Sequence, residues 1–236
     1  CETVQSTDMA GLSPSIKFIS DVPAIAFWAR TAVSLSTYYV YYATRDGGGS
    51  GDCDNNQWVC EQVDNNVSVP GATYNGNHNI SMDVSSGVPY IVYQRDNDVY
   101  LTKRVADAGG SCLDTDWTCG VVASDGTIGK YASISVDDST SYISYYNDSS
   151  DDLIFVYGDI GSWASETVDS TGSVGLRNSI DYFSGQYIIS YYDSTNSNLK
   201  LASYYSNSAP TIELFNASQA INGSGNVSVL MLNLND

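Results

Sequence analysis

One frame recurs along this chain and limits what it can become. Trp58, Trp117 and Trp163 each stand two residues before a Cys or Ser and five before a valine, in "WVCEQV", "WTCGVV" and "WASETV". The chain opens inside a fourth copy, "CETV", which ends at Val4. The valines Val4, Val63, Val122 and Val168 are 59, 59 and 46 residues apart. A chain with that period is built from structural units of 45 to 60 residues, each unable to bury its apolar residues alone.

Within each unit the apolar anchors keep their order. Ile16, Ile80, Ile134 and Ile180 begin one run, and Phe27, Tyr93, Tyr145 and Tyr191 mark a second. A third follows in "YYVYY", "VYLTK", "LIFVY" and "LKLAS", and the Trp frame makes the fourth. The runs alternate apolar and polar residues. Between them lie clusters of Gly, Asp, Asn and Ser such as "NDSSDD" and "DSTNSN", which favour tight turns. No window shows helical periodicity. Four short antiparallel strands per repeat predict an all-β chain, a β-propeller of four blades.

Counted from the innermost strand outward, the first three repeats are complete and the fourth lacks its outermost strand. The N-terminal segment supplies the missing frame, so the expectation is a ring over residues 1–206 closed by the N-terminal strand. The expected blades are 7–64, 65–123, 124–168, and 169–206 completed by 1–6. A β-strand tail covers 207–236. There "APTIELF" and "NVSVLMLNL" look like the first strands of an immunoglobulin-like or fibronectin-type module.

The stretch "WASETVDSTGSVGLRNSIDYFSGQYIISYYDSTNSNLKLASYY" resembles the tandem propeller repeats of secreted and surface-anchored proteins of bacteria and archaea. So does "CGVVASDGTIGKYASISVDD". The resemblance spans roughly the first 206 residues. It implies fold more than function, because propellers host binding, scaffolding and catalysis alike.

Cys53 and Cys60 are seven apart, and so are Cys112 and Cys119. Equal spacing at equivalent repeat positions predicts two local disulfides and an oxidising, extracellular or cell-surface location. The rival reading is zinc, but the spacing is wide for a knuckle and the lone His78 lies beside neither pair. Cys1 is left over. The net charge of −18 disfavours nucleic acid and anionic lipid. No transmembrane segment and no signal peptide are expected.

The search for catalytic groups points away from an enzyme. Glu2, Glu61 and Glu166 share one position on the expected outermost strand, and most Asp residues fall in turns. A glycoside hydrolase needs two carboxylates at a defined separation. No cofactor is expected. Calcium is considered from Asp52, Asp54 and Asn56 in "GDCDNN", which lacks the glycine and glutamate of an EF-hand loop. Lys17, Ser81, Ser135 and Asp181 are the candidate channel-lining residues. Candidate glycosylation sites are Asn66, Asn147, Asn216, Asn222 and Asn226.

In the tail, Val227, Val229 and Met231 fall on one face of a strand, and Leu230, Leu232 and Leu234 on the other. A strand apolar on both faces needs cover on both. The leading expectation is therefore a non-enzymatic structural or adhesive propeller. It would be the repeating subunit of a surface filament that self-associates through its tail. The alternative is a lectin-like, glycan-binding module of a larger surface protein, with a glycoside hydrolase behind it.

Overall fold

The computed structural model describes residues 1–6, 10–30, 37–45, 51–68, 79–105, 110–124, 126–183, 185–205 and 213–215. Four antiparallel sheets follow one another along the chain. The first is β1 (Leu12–Ile19), β2 (Val22–Ala29), β3 (Thr37–Arg45) and β4 (Trp58–Ser68). The second is β5 (Ile80–Ser85), β6 (Val88–Arg95), β7 (Asp98–Arg104) and β8 (Trp117–Ala123). The third is β9 (Ile128–Asp137), β10 (Thr140–Asn147), β11 (Asp152–Asp159) and β12 (Ser162–Asp169). The fourth is β13 (Val174–Phe183), β14 (Gln186–Asp193), β15 (Asn198–Tyr205) and β16 (Glu213–Phe215). Among the described residues there is no helix.

The hairpins form where the sequence supplies residues that tolerate positive φ. Ser20 and Asp21 (48° and 67°), Asp96 and Asn97 (52° and 75°), and Asp138 and Ser139 (44° and 71°) make two-residue turns. Such turns match the twist of the strands they join. The innermost strands share a further device. Ser13, Tyr131 and Arg177, each three residues before an inner-strand isoleucine, have φ of 43°, 57° and 52°. The ladder shifts register around them, so each is a bulge that bends the start of the inner strand.

Adjacent sheets pack face to face. Trp28 of the first meets Tyr93 of the second edge-on, with ring centroids 5.7 Å apart. Val99 and Leu101 of the second join Ile134, Ile143 and Tyr145 of the third. Leu153 and Phe155 of the third join Ile180, Tyr187, Ile189 and Tyr191 of the fourth. Fully burying an aliphatic or Phe side chain contributes about 1.5–3 kcal/mol, so these junctions carry most of the favourable energy. β1 lies against β5, β5 against β9 and β9 against β13. Among the described residues no comparable packing joins β13 to β1.

Two expectations need correction. The anchor of the second repeat is Met82, not Ile80. Met82 pairs with Ile91, as Ile16 pairs with Ile25, Ile134 with Ile143 and Ile180 with Ile189. Residues 1–6 are also not the fourth strand of the last sheet, because Glu213–Phe215 pairs with β15. The N-terminal segment instead lies against the first sheet. Val4 packs on the cluster of Phe27, Ala29, Ala43 and Trp58, and Glu2 pairs with Arg45 at 3.0 Å. An outer edge offers backbone hydrogen bonds to any strand that reaches it, so pairing there is weakly specified by side chains. Of the expected tail 207–236, only Glu213–Phe215 is described. Val227, Val229, Leu230, Met231, Leu232 and Leu234 lie outside the described residues.

Candidate functional site

Each of the four inner strands carries one polar residue directly after its anchor. With Met82 as anchor, the residues that follow the anchors are Lys17, Asp83, Ser135 and Asp181. Lys17 Nζ lies 3.0 Å from Asp83 Oδ1. The other oxygen of Asp83 accepts the backbone N–H of Val136 at 2.7 Å. One carboxylate therefore ties together the inner strands of sheets one, two and three. The Lys17 side chain is still 44 % exposed, so its ammonium has room for another partner. Asp181 on the fourth sheet is exposed, and one of its oxygens accepts the N–H of Tyr182. The rings of Phe18 and Phe183, at the turn ends of the first and last inner strands, stand 66 % and 73 % exposed.

Ser81 and Ser135 behave differently from the expectation. Ser135 is buried. Ser81 lies one place before the anchor, and its hydroxyl accepts the backbone N–H of Ile134 at 3.3 Å. That is a junction between sheets. Asp83 holds the place assigned to Ser81, and the sequence reading missed it. The signal that could have found it was the two-residue offset that aligns Ile91 with Ile25, Ile143 and Ile189.

Two buried carboxylates fasten neighbouring sheets. Asp64, directly after Val63, accepts the hydroxyl of Tyr93 at 2.8 Å and two bonds from Arg95 at 2.9 and 3.1 Å. Asp169, directly after Val168, accepts Tyr191 at 2.9 Å and Lys200 at 2.9 Å. Burial, reinforced by the neighbouring carboxylates, pushes both tyrosines well above the usual phenol range. They stay protonated donors. These ties are structural.

The two expected disulfides are present, Cys53–Cys60 and Cys112–Cys119. Each closes a loop that begins at a glycine, where a Cβ on Gly51 or Gly110 would lie 2.0 Å from the carbonyl oxygen of Trp58 or Trp117. Cys1 is free and exposed. Asp52 accepts the N–H of Cys60, and Asp54 accepts both the N–H and the hydroxyl of Ser6. The carboxylates considered for calcium thus turn to separate protein donors. Among the described residues no group of three or more His, Cys, Asp or Glu is placed to hold a metal. Asn147 caps a turn by accepting the N–H of Ser149 and of Ser150. Asn66 lies on β4, and Asn216, Asn222 and Asn226 lie outside the described residues. No described helix is long and apolar enough to cross a membrane.

No family model matches the sequence. No curated protein matches it either. The fold does have solved counterparts. A lectin of Aleuria aurantia, solved with alpha-methyl-L-fucoside, superposes with a TM-score of 0.56 at 11 % identity, over 92 % of this chain and 64 % of the lectin. An alpha-L-arabinofuranosidase from Lactobacillus brevis gives 0.50 at 10 % identity, over 87 % of this chain and 78 % of the enzyme. A GH43 beta-xylosidase/alpha-arabinofuranosidase from a compost microbial metagenome gives 0.50 at 13 %, over 89 % and 75 %. The chain thus spans less than two thirds of the lectin it matches.

These likenesses define the class, a β-propeller arrangement of antiparallel sheets. They also overturn the expectation that the chain is not an enzyme, because glycoside hydrolases stand among the structures that share its arrangement. That expectation weighed the glutamates of the outer strands and found most aspartates in turns; Asp181 was counted only as a channel-lining residue and Asp83 not at all, and both stand on inner strands.

Proposed function

We propose that this chain recognises neutral glycans at the inner strands of its propeller, outside the cell or at its surface. The observation that carries the reading is the convergence of three inner strands on Asp83, with Lys17 still half open to solvent. The exposed ring of Phe18 stands on the first of these strands, and Asp181 and the exposed ring of Phe183 stand on the inner strand of the fourth sheet. Carboxylates accept sugar hydroxyls, an ammonium donates to ring and hydroxyl oxygens, and bare aromatic faces cover the apolar face of a pyranose. The net charge of −18 repels acidic saccharides, which narrows the ligand to neutral ones. Support also comes from the likeness to a lectin and to glycoside hydrolases. The two disulfides fit an oxidising compartment. A glycan array probed with the purified chain tests the reading. Retention on a defined neutral glycan, lost in Asp83→Asn, supports it, and an array blank for neutral glycans rejects it.

Hydrolysis is the second reading, favoured by the presence of two carboxylates on inner strands. One would serve as acid and the other as base or nucleophile. Release of reducing sugar, abolished by Asp181→Asn with binding retained, separates it from recognition alone.

A further inference from the structure

The three junctions between sheets repeat one set of contacts, and the two ends of the stack carry the unmated halves of that same set. Val40, Val99 and Leu153 occupy one position on the third strands and are fully buried by the following sheet. Leu199 holds that position on the fourth sheet and is 71 % exposed. Met82, Ile134 and Ile180 are buried against the preceding sheet, whereas Ile16, their counterpart on the first, is 57 % exposed.

The polar contacts follow the same rule. The hydroxyls of Ser15, Ser81 and Ser133 accept the backbone N–H of Met82, Ile134 and Ile180, at 3.0, 3.3 and 3.2 Å. Ser179 is next in the series and is exposed. The indole N–H of Trp117 donates to Glu61, and that of Trp163 to the carbonyl of Val121, each on the outer strand of the preceding sheet. Among the described residues no sheet precedes that of Trp58. Its indole nitrogen is buried without a hydrogen-bond partner. Beside it, Ile25 and Phe27 floor an open apolar recess of ≈ 230 Å³ walled by Val4, Ala10 and Pro14. At the internal junctions the matching space receives Tyr42, Leu101 or Phe155, and on the fourth sheet Leu201 stands at that position.

We propose that the outer face of the fourth sheet docks on the outer face of the first sheet of a second copy, reproducing the internal junction head to tail. Leu199 and Leu201 enter the recess over Ile25 and Phe27. Ser179 accepts the N–H of Ile16. The arriving sheet seats residues 1–6 as its neighbour, so that Glu2 reaches Trp58 as Glu61 reaches Trp117. The occupant is a second copy and not the chain's own far end, because Leu199 and Ile16 are both bare in one molecule. Closing the gap internally would re-angle three close-packed junctions, and dense interiors resist such shifts. A heterologous contact of this kind closes into a ring when the rotation allows and otherwise propagates as a filament. The inference is independent of the glycan reading.

Cysteine pairs test it in the full chain carrying Cys1→Ser. Ser133→Cys with Ile180→Cys in one molecule is the control for geometry and should cross-link internally. Ser179→Cys and Ile16→Cys chains, made separately and mixed under mild oxidation, should give a covalent two-chain species. Leu199→Asp should abolish it without lowering the melting temperature. Sedimentation of the unmodified chain should show mass rising with concentration. A monomer at every concentration with no mixed cross-link overturns the proposal. So does an internal cross-link in a monomeric chain carrying both Ser179→Cys and Ile16→Cys, which would mean the chain closes on itself.

Discussion

Tyr191 donates its hydroxyl to Asp169 at 2.9 Å, from the second strand of one sheet to the outermost strand of the sheet before it. Tyr93 and Asp64 make the same bond at 2.8 Å two junctions earlier. In each case a cation neutralises the buried carboxylate, Lys200 in the first and Arg95 in the second. The pairs fasten neighbouring sheets where the apolar packing gives way to the rim.

Removing the hydroxyl alone should therefore cost more than a surface change. Tyr191→Phe and Tyr93→Phe keep the ring but leave a buried acceptor with one donor fewer, a loss of about 1–3 kcal/mol each. Urea unfolding measures it. The Phe27 position, where the repeat has no hydroxyl, provides the contrast: Phe27→Tyr should bring no gain.

Asp193 gives the stability a pH dependence. Burial pushes its carboxyl up, but bonds from Asn196 and Lys200 outweigh burial and hold it at about 2. A carboxyl held below its ordinary value stabilises the fold above that value. The contribution is lost as pH falls from about 4 toward about 2. Lys200 is raised, although burial opposes it, because Asp193 and Asp169 favour its charged form. Its contribution is present at neutral pH and lost only at strongly alkaline pH. Unfolding free energy should be flat through neutrality and fall in acid, and Asp193→Asn should flatten the acid limb.

How much of this was legible in the sequence differs from element to element. The strands, the four repeats and both disulfides were readable because alternation, turn residues and the Trp-x-Cys frame all carry a period. The position of Asp83 was not. Ile80 and Met82 are both apolar and, two residues apart, lie on the same face of β5. A slip of one residue would have turned the face outward and betrayed itself, but a slip of two preserves the pattern. The partner of β15 was equally hidden. Backbone pairing at an open edge leaves little trace in side chains, so "CETV" and "ELF" competed for it on equal terms.

The disulfides should matter to stability more than their exposed loops suggest. Each closes a short loop, worth about 2–3 kcal/mol in the chain-entropy model. Cys53→Ser with Cys60→Ser, and Cys112→Ser with Cys119→Ser, should each lower the unfolding free energy by that amount, additively because the loops belong to different sheets. Thermal unfolding of the two variants and of their combination checks both the size and the additivity.

Lys17 and Asp83 should be separable by charge reversal. The pair is partly exposed, so breaking it should change stability by no more than about 1 kcal/mol. The double exchange Lys17→Asp with Asp83→Lys should restore the ion-pair part alone, because a lysine at 83 cannot accept the N–H of Val136. Double-mutant analysis of urea midpoints gives the coupling.

The most direct measurement is a calorimetric titration of the native chain with neutral saccharides, repeated with Asp83→Asn. The expected result is saturable binding that weakens by about tenfold or more in the variant, as loss of a charge-assisted hydrogen bond requires. Saturable binding left unchanged by Asp83→Asn, or no binding of any neutral saccharide, would contradict it.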